Sequence, residues 1–334
     1  GLVNTKPSLL LEPQSTNLFA NSNFESGWSI LSGGTIVTNK VTSPDGSKNA
    51  AILKGNGLNS NAPYISMSVT SGTSYAFSVF VKPILATSFR LIGFSPQAGG
   101  SAKFDLSSGV VSAAADDDLS NAKIENYGNG WYRCSVIATA DGTGSALFGF
   151  ESEFDINGDN FYIYGAQFEQ QSYPTSYIPT NGSTQTRAAE TCNGAGTSSI
   201  FESSEGILYG EFAALANDGT VRYLGLSDGS SGNRVVILND GTTNNIRGIV
   251  SSGGTKYVDF AFVVSDVTTF NKVALKWKAN DFDLWINGVK RAVDLAGSSP
   301  IGLDRLSFDL AGSNTYDGKI RDIRVYNTKE MTDS

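Results

Sequence analysis

Residues 276–290 read Lys276-Trp-Lys-Ala-Asn-Asp-Phe-Asp-Leu-Trp-Ile-Asn-Gly-Val-Lys290, and the fold class follows from how this stretch must run. Apolar residues come in short bursts, divided first by Asn280-Asp281 and then by Asn287-Gly288. An Asn-Gly pair between apolar runs favours a type I′ turn, because both central positions need positive φ and these residues tolerate it. The stretch therefore reads as strand, turn, strand, turn. Trp277 and Trp285 fall inside the strands, and in a half-buried sheet a Trp is more often core than ligand platform.

The same texture extends along the chain. Short β-branched or aromatic runs occur at Ser74–Val81, Phe89–Phe94, Trp131–Ala138, Ala146–Phe150, Phe161–Phe168, Ile207–Phe212, Val235–Leu238, Val273–Lys278, Phe282–Ile286, Arg305–Leu310 and Ile320–Tyr326. Each has the length of an ordinary strand. Nowhere do apolar residues recur with helical period over three turns. Glycine supplies 37 of the 334 residues, above the usual ~7%, and punctuates the runs. At roughly 150 residues per domain this length suggests two domains. The expected fold is all-β, with two tandem antiparallel β-sandwich (jelly-roll) domains. Polar, aperiodic stretches at Pro179–Arg187 and Thr191–Ser199 mark the boundary. The expected organisation is an extended lead-in at 1–13, a first domain at 14–180, a linker at 181–197 and a second domain at 198–334. Pro7 and Pro13 lack the N–H that a sheet ladder needs, hence the extended lead-in.

Composition removes several functions. Charged residues are 17% of the chain, below the ~25% of an average soluble protein, so Ser, Thr, Asn and Gly must form much of the surface. A net charge of −8 offers no basic field to a phosphate backbone, so nucleic acid is not an expected partner. No apolar run approaches the ~20 residues of a membrane span, and membrane insertion is not expected. Histidine is absent, which excludes Ser/His and Cys/His dyads and every His-containing metal site. Catalysis would fall to carboxylates, Tyr, Lys or a hard cation. Cys134 and Cys192 permit one bridge but no disulfide framework, and Cys134 reads as a small apolar filler on a strand.

Several stretches together carry a resemblance. Leu9-Leu-Leu-Glu-Pro-Gln-Ser-Thr-Asn-Leu18 precedes Asn21-Ser-Asn-Phe-Glu-Ser-Gly-Trp28, and Gly128-Asn-Gly-Trp-Tyr-Arg-Cys-Ser135 follows. Tyr162-Ile-Tyr-Gly-Ala-Gln-Phe-Glu169 then runs on to Tyr173-Pro-Thr-Ser-Tyr-Ile-Pro-Thr180 and Thr186-Arg-Ala-Ala189. Residues 8–190 resemble the carbohydrate-binding-module-like jelly roll of bacteriophage tail-fibre, head-fibre and other virion proteins. The second half resembles a concanavalin-like, laminin-G-type jelly roll, through Glu205-Gly-Ile-Leu-Tyr-Gly-Glu-Phe212, the 276–290 hairpin and Gly318-Lys-Ile-Arg-Asp-Ile-Arg-Val-Tyr-Asn327. The resemblance implies a non-enzymatic virion structural protein, a fibre or decoration at the virion surface, with other virion proteins and host surface glycans as partners. It also implies host attachment by a homo-oligomer, without catalytic residues. The alternatives are a secreted glycan-active enzyme (glycosidase or polysaccharide lyase) on the concanavalin-like half, or a bacterial surface adhesin.

Sugars are bound by aromatic faces against pyranose C–H groups, with amides and charged groups reaching the hydroxyls. The candidate aromatics are Tyr64 beside Pro63, Tyr127 in a polar turn, Tyr223 beside Arg222 on a strand, and Tyr316 in the loop Ser313–Gly318. Trp28 and Trp131 are expected in the core. Glu151, Glu153 and Asp155 alternate and so share one strand face. They read first as a solvated acidic face, with a cation site and a catalytic carboxylate pair as other readings. Asp155, Asn157 and Asp159 offer oxygens around Gly158, a donor set that suits a structural Ca²⁺. Modules of the resembled family hold Ca²⁺ between the start of the fold and its last strand, and Glu25 matches the early position. Tyr164-Gly165 stand where the partner Asp is usual. Asp116-Asp117-Asp118 reads as an exposed loop. Finally, Pro174 and Pro179 enforce extended backbone, and the neighbouring aromatics are expected to clip this strap onto the sandwich as a rigid exit arm.

Overall fold

The computed structural model describes residues 7–57, 62–95, 98–152, 156–310 and 312–327. Their strands all pair antiparallel, in two compact units: Gln14–Ala188, and Ala189–Ser334 together with Gly1–Pro13. Each apolar run named above lies on or overlaps a strand. At the 276–290 hairpin, Asn271–Lys278 pairs with Phe282–Ile286, which pairs in turn with Val289–Asp294. Asn287 and Gly288 have φ of 52° and 80°, the left-handed pair that a type I′ turn demands. The first turn closes one residue earlier than expected, with the Asp281 N–H donating to the Lys278 carbonyl.

The first unit packs two six-stranded sheets face to face. One runs in the order Val110–Ala113, Ala98–Asp105, Ser88–Ser95, Gly144–Ser152, Pro63–Val69, Ser29–Ile30. The other runs Leu119–Gly128, Trp131–Thr139, Ser74–Pro83, Gly158–Glu169, Ala50–Gly55, Thr35–Val41. Alternation sends Phe77, Val79 and Val81 inward with Cys134, Val136, Phe161 and Ile163 to meet Phe89, Leu91, Phe148 and Phe150. Phe168 is the hub, at 5.0 Å from Tyr75, 5.5 Å from Phe19 and 4.5 Å from Phe148 between ring centroids. Such ring pairs add roughly 0.5–1.5 kcal/mol each beyond burial. Trp28 packs on Phe19 and Phe24, and Cys134 is a buried free thiol whose pKa burial pushes up. The chain enters and leaves this unit side by side, with Ser15–Asn17 antiparallel to Gln185–Arg187.

The second unit pairs a six-stranded sheet with a five-stranded one. The six-stranded order is Leu9–Leu11, Gly318–Tyr326, Glu205–Ala214, Asn271–Lys278, Phe282–Ile286, Val289–Asp294. Residues 9–11, expected as an unpaired lead-in, thus form an edge strand, with Leu9 opposite Ile320 and Leu11 opposite Gly318. Pro7 and Pro13 flank this strand rather than interrupt it, so neither has to supply a ladder donor. Leu208, Phe212, Leu275, Trp277 and Leu284 face Leu224, Val235, Ile237 and Val250 in its core. The free Cys192 packs on that core, so the two cysteines belong to different units and form no bridge.

Candidate functional site

On Gly158–Glu169 the inward positions are Phe161 and Ile163, so Tyr162 and Tyr164 point outward. There they join Phe80, Ala50 and the buried Trp131 in a second, smaller apolar cluster on the outer face of the sheet. Residues 173–180 lie over this face and are held by buried polar groups. Glu169, fully buried, accepts from the Ser15 hydroxyl (2.6 Å), the Thr175 N–H (3.0 Å), Gln167 Nε2 (2.7 Å) and the Thr175 hydroxyl. The Ile178 N–H donates to Gln167 Oε1 (2.6 Å), and Arg133 donates to the Thr175 carbonyl (2.7 Å) with its guanidinium over Phe80. The strap is therefore clipped by polar groups as well as by its aromatics. Gly165, at φ 61°, makes room for it, because a Cβ there would stand 3.1 Å from the rings of Tyr177 and Phe80.

Between strap and sheet lies a pocket of about 390 Å³ lined by Tyr164, Tyr177, Asn23, Asn49, Asn181 and Gln185, with Pro179 and Thr180. The two phenol rings meet edge to face, 5.1 Å apart at 66°. Tyr177 shares a 2.6 Å hydrogen bond with Ser22, and the Thr180 N–H donates to the Ser22 hydroxyl (2.9 Å), which fixes that wall. Tyr164 donates to Asp45 Oδ2 (2.6 Å), and Asn49 Nδ2 donates to the same oxygen (3.1 Å). Partial burial pushes the Asp45 carboxyl up. Hydrogen bonds from Ser43, Tyr164, the Ser47 amide and Asn49 outweigh burial and hold it well below the usual carboxylate range. Burial, then the bond to Asp45, pushes the Tyr164 phenol far up, and burial pushes Tyr177 up against its bond to Ser22. Both stay protonated at neutral pH. The carboxylate also fixes the Asn49 amide: its NH₂ faces Asp45, and Oδ1 is left buried without a partner. The pocket thus offers the half-buried Tyr177 ring and several side-chain amides, with Tyr164 (4% exposed) and Asn49 Oδ1 both buried in its wall.

Of the expected aromatics, Tyr127 belongs to this face. It is 48% exposed and stands edge-on to Phe80, 4.8 Å away, while Phe80 in turn lies 6.0 Å from Tyr177. Tyr64 is half-buried on the other sheet, opposite Gly149. Tyr223 is half-buried in the second unit against Val236, Leu238 and Ile249. Tyr316 is the correction: expected as an exposed loop aromatic, it is 1% exposed, with its ring on Phe212 and its hydroxyl buried without a partner. The loop folds inward because Gly318 leaves it room; a Cβ there would stand 2.4 Å from the Tyr316 ring. The sequence does not single out Tyr164 or Tyr177 for this pocket, although the alternation Phe161/Ile163 against Tyr162/Tyr164 sets Tyr164 on the outer face of the sheet, where neighbouring side chains bury it.

The expected cation ligands are dispersed where they are described. Glu25 is exposed and accepts from Asn39 (3.1 Å), Asp159 pairs with Lys54 (2.9 Å), and Asn157 is exposed. Asp155 and Glu153 lie outside the described residues. Among the described residues no three acidic or Cys side chains gather closely enough to share a metal ion. Glu151 is committed to Arg90 at 2.8 Å, which opposes the upward push of burial on its carboxyl. In the acidic loop, Asp118 accepts from the Gly99 N–H (2.8 Å) and Asp116 from the Ser101 N–H, so both carboxylates serve the neighbouring strand.

Next to Tyr316, burial raises the Asp317 carboxyl to about 6 from an ordinary 3.8, although Arg222 opposes the shift. A folded-state pKa above the unfolded one favours the folded state fully below pH 3.8, and that contribution is lost as pH rises through 6. Asp317→Asn is therefore expected to raise the melting temperature of the second unit at pH 7.5 and to leave it nearly unchanged at pH 4. Calorimetric scans at both pH values check this. Equal shifts at the two values would contradict it.

No family model matches the chain, and no curated protein matches it in sequence. Among solved structures, the Ruminococcus gnavus IT-sialidase CBM40 is similar over 41% of this chain and 89% of its own, at 18% identity and a TM-score of 0.32. The same module bound to alpha2,3 sialyllactose is similar over the same shares, at 17% identity and a TM-score of 0.33. Mouse laminin alpha1 chain domains LG4-5 are similar over 98% of this chain and 93% of theirs, at 9% identity and a TM-score of 0.32.

Proposed function

We propose that this chain is a non-catalytic, glycan-binding protein of a virion surface, and that the Tyr164–Tyr177 pocket holds a neutral sugar residue. One observation carries the reading: the half-buried Tyr177 ring, backed edge to face by Tyr164, and a set of side-chain amides converge on one cleft. The amides suit sugar hydroxyls, and the pyranose C–H face suits the Tyr177 ring. No cation is among the described lining residues, and two of them, Tyr164 and Asn49, are hydrogen-bonded to the Asp45 carboxylate, so a carboxylated sugar would be opposed there. The raised phenol pKa values leave neither tyrosine available as a base.

The virion setting is supported by the motif set over residues 8–190, and by a low-charge surface that tolerates subunit packing. Many copies would multiply a weak site through avidity. A glycan array with the intact chain, followed by titration calorimetry, tests the binding reading. Tyr177→Ala is expected to weaken the best ligand at least tenfold, on the scale of one lost ring contact of about 1.5 kcal/mol. Tyr177→Phe keeps the ring and should retain most of the affinity. A chain that binds no neutral glycan, or a Tyr177→Ala variant that binds as well as the parent, would overturn the reading. Immunogold labelling of purified particles tests the setting, and light scattering tests the expected homo-oligomer.

A further inference from the structure

The outer face of the six-stranded sheet in the second unit carries a slot of a different character. Tyr209 lies opposite Ala274, and Ala274 opposite Trp285, so the two rings stand in one row across three strands. At ~4.8 Å between neighbouring strands their backbones are about 10 Å apart, with only the Ala274 methyl between them. The result is a slot of about 360 Å³ completed by Ile207, Lys272, Lys276 and Gly288. Trp285 is 39% exposed, although Trp277, the other tryptophan of the hairpin, is 1% exposed. Exposed indole at the wall of an open slot is costly to leave bare and marks a contact surface.

Charge decides what would cover it. The groups lining the slot include two lysines and no acid. Lys276 is shared with Asp281 (2.8 Å), and Lys290, which lies over Trp285, is paired with Asp283 (3.1 Å). Among the described residues Lys272 has no ion-pair partner, and Glu211 opposite it on the next strand is engaged by Arg321 (3.5 Å). An apolar peptide or a second copy of the chain would use the rings and bury the Lys272 ammonium unpaired, which costs several kcal/mol. A sugar carrying an acid group uses both.

We infer that this slot binds an anionic saccharide, its ring held between Tyr209 and Trp285 and its carboxylate or sulfate on Lys272. This site is separate from the Tyr164–Tyr177 pocket in residues and in ligand charge. The test is affinity electrophoresis of the full chain through gels containing polygalacturonate, dextran sulfate or neutral dextran, in a Tyr177→Ala background so that the first pocket adds no signal. Retardation by at least one acidic polymer and not by dextran is expected, falling as salt is raised. The responding polymer identifies the acid group. Trp285→Ala should reduce the retardation at least tenfold, Lys272→Gln should reduce it severalfold, and Lys272→Arg should restore it. Circular dichroism verifies that each variant is folded. Absence of retardation, retardation indifferent to Trp285→Ala and Lys272→Gln, or a dimer that Trp285→Ala dissociates with no effect on polymer binding would each overturn the inference.

Discussion

Glu169→Ala is expected to lower the unfolding free energy of the first unit by about 3 kcal/mol and to abolish measurable sugar binding at the Tyr164–Tyr177 pocket. The carboxylate is fully buried and accepts from Ser15, Gln167 and both donors of Thr175. Hydroxyls can turn to other acceptors. The Thr175 N–H cannot, and a buried donor left unmade costs about 1–3 kcal/mol, whereas Gln167 Nε2 keeps the Thr175 and Ser176 carbonyls as longer acceptors (3.2 and 3.4 Å). The loss reaches the pocket because the same donors hold the strap, and the strap supplies Tyr177, Pro179 and Thr180 to its wall. Hydrogen exchange separates this account from general destabilisation: the Thr175 and Ile178 amides should lose protection well before those of the Ser74–Pro83 strand. Ser15→Ala, which removes one hydroxyl, should cost about 1 kcal/mol and spare binding. Unchanged protection over 175–180 in Glu169→Ala would show that the strap is held by its aromatics alone.

The strap also shows where reading the sequence stops. Proline spacing and aromatic content are local, and they announce an extended segment clipped to a sheet. Which face receives it is set by Glu169, Gln167 and Arg133, polar residues whose burial depends on partners brought in from other strands and from the entry segment. Their side chains carry no local mark of that burial. Tyr316 fails for a related reason. Ser, Asn, Asp and Gly around it describe a turn correctly, but the space left by Gly318 determines that its ring points inward. Tyr164 and Trp285 differ, since alternation sets both on an outer sheet face, where Trp285 stays 39% exposed and Tyr164 is covered to 4% by its neighbours. At Trp285 the general tendency of large aromatics to be buried competes with an alternation pattern that is present. Strands and turns are local and were legible. The pocket was not, because it joins an outward strand residue to a strap placed by long-range polar contacts.

Alternation makes its sharpest claim at the two tryptophans of the 276–290 hairpin. Trp277→Ala is expected to destabilise the second unit by about 4 kcal/mol, and Trp285→Ala by less than about 1 kcal/mol. Val273, Leu275 and Trp277 face inward between Ala274, Lys276 and Lys278, whereas Phe282, Leu284 and Ile286 face inward around Asp283 and Trp285, apart from the buried edge of Asp283 beneath its lysines. Trp277 fills space that Gly206 leaves open, since a Cβ at 206 would stand 2.5 Å from the indole, and its Nε1–H donates to the Ser203 carbonyl (3.2 Å). Truncation there opens an indole-sized cavity among Leu208, Leu275 and Phe282 and leaves the Ser203 carbonyl without that donor. Truncating Trp285 gives up a half-solvated surface and the cation–π contact with Lys290 at 5.1 Å, a modest term at an exposed site. Urea unfolding followed by circular dichroism, with exchange of second-unit amides as the second readout, measures both variants on one scale. If the two unfold at the same urea concentration, the assignment of these strand faces is wrong, and with it the slot between Tyr209 and Trp285.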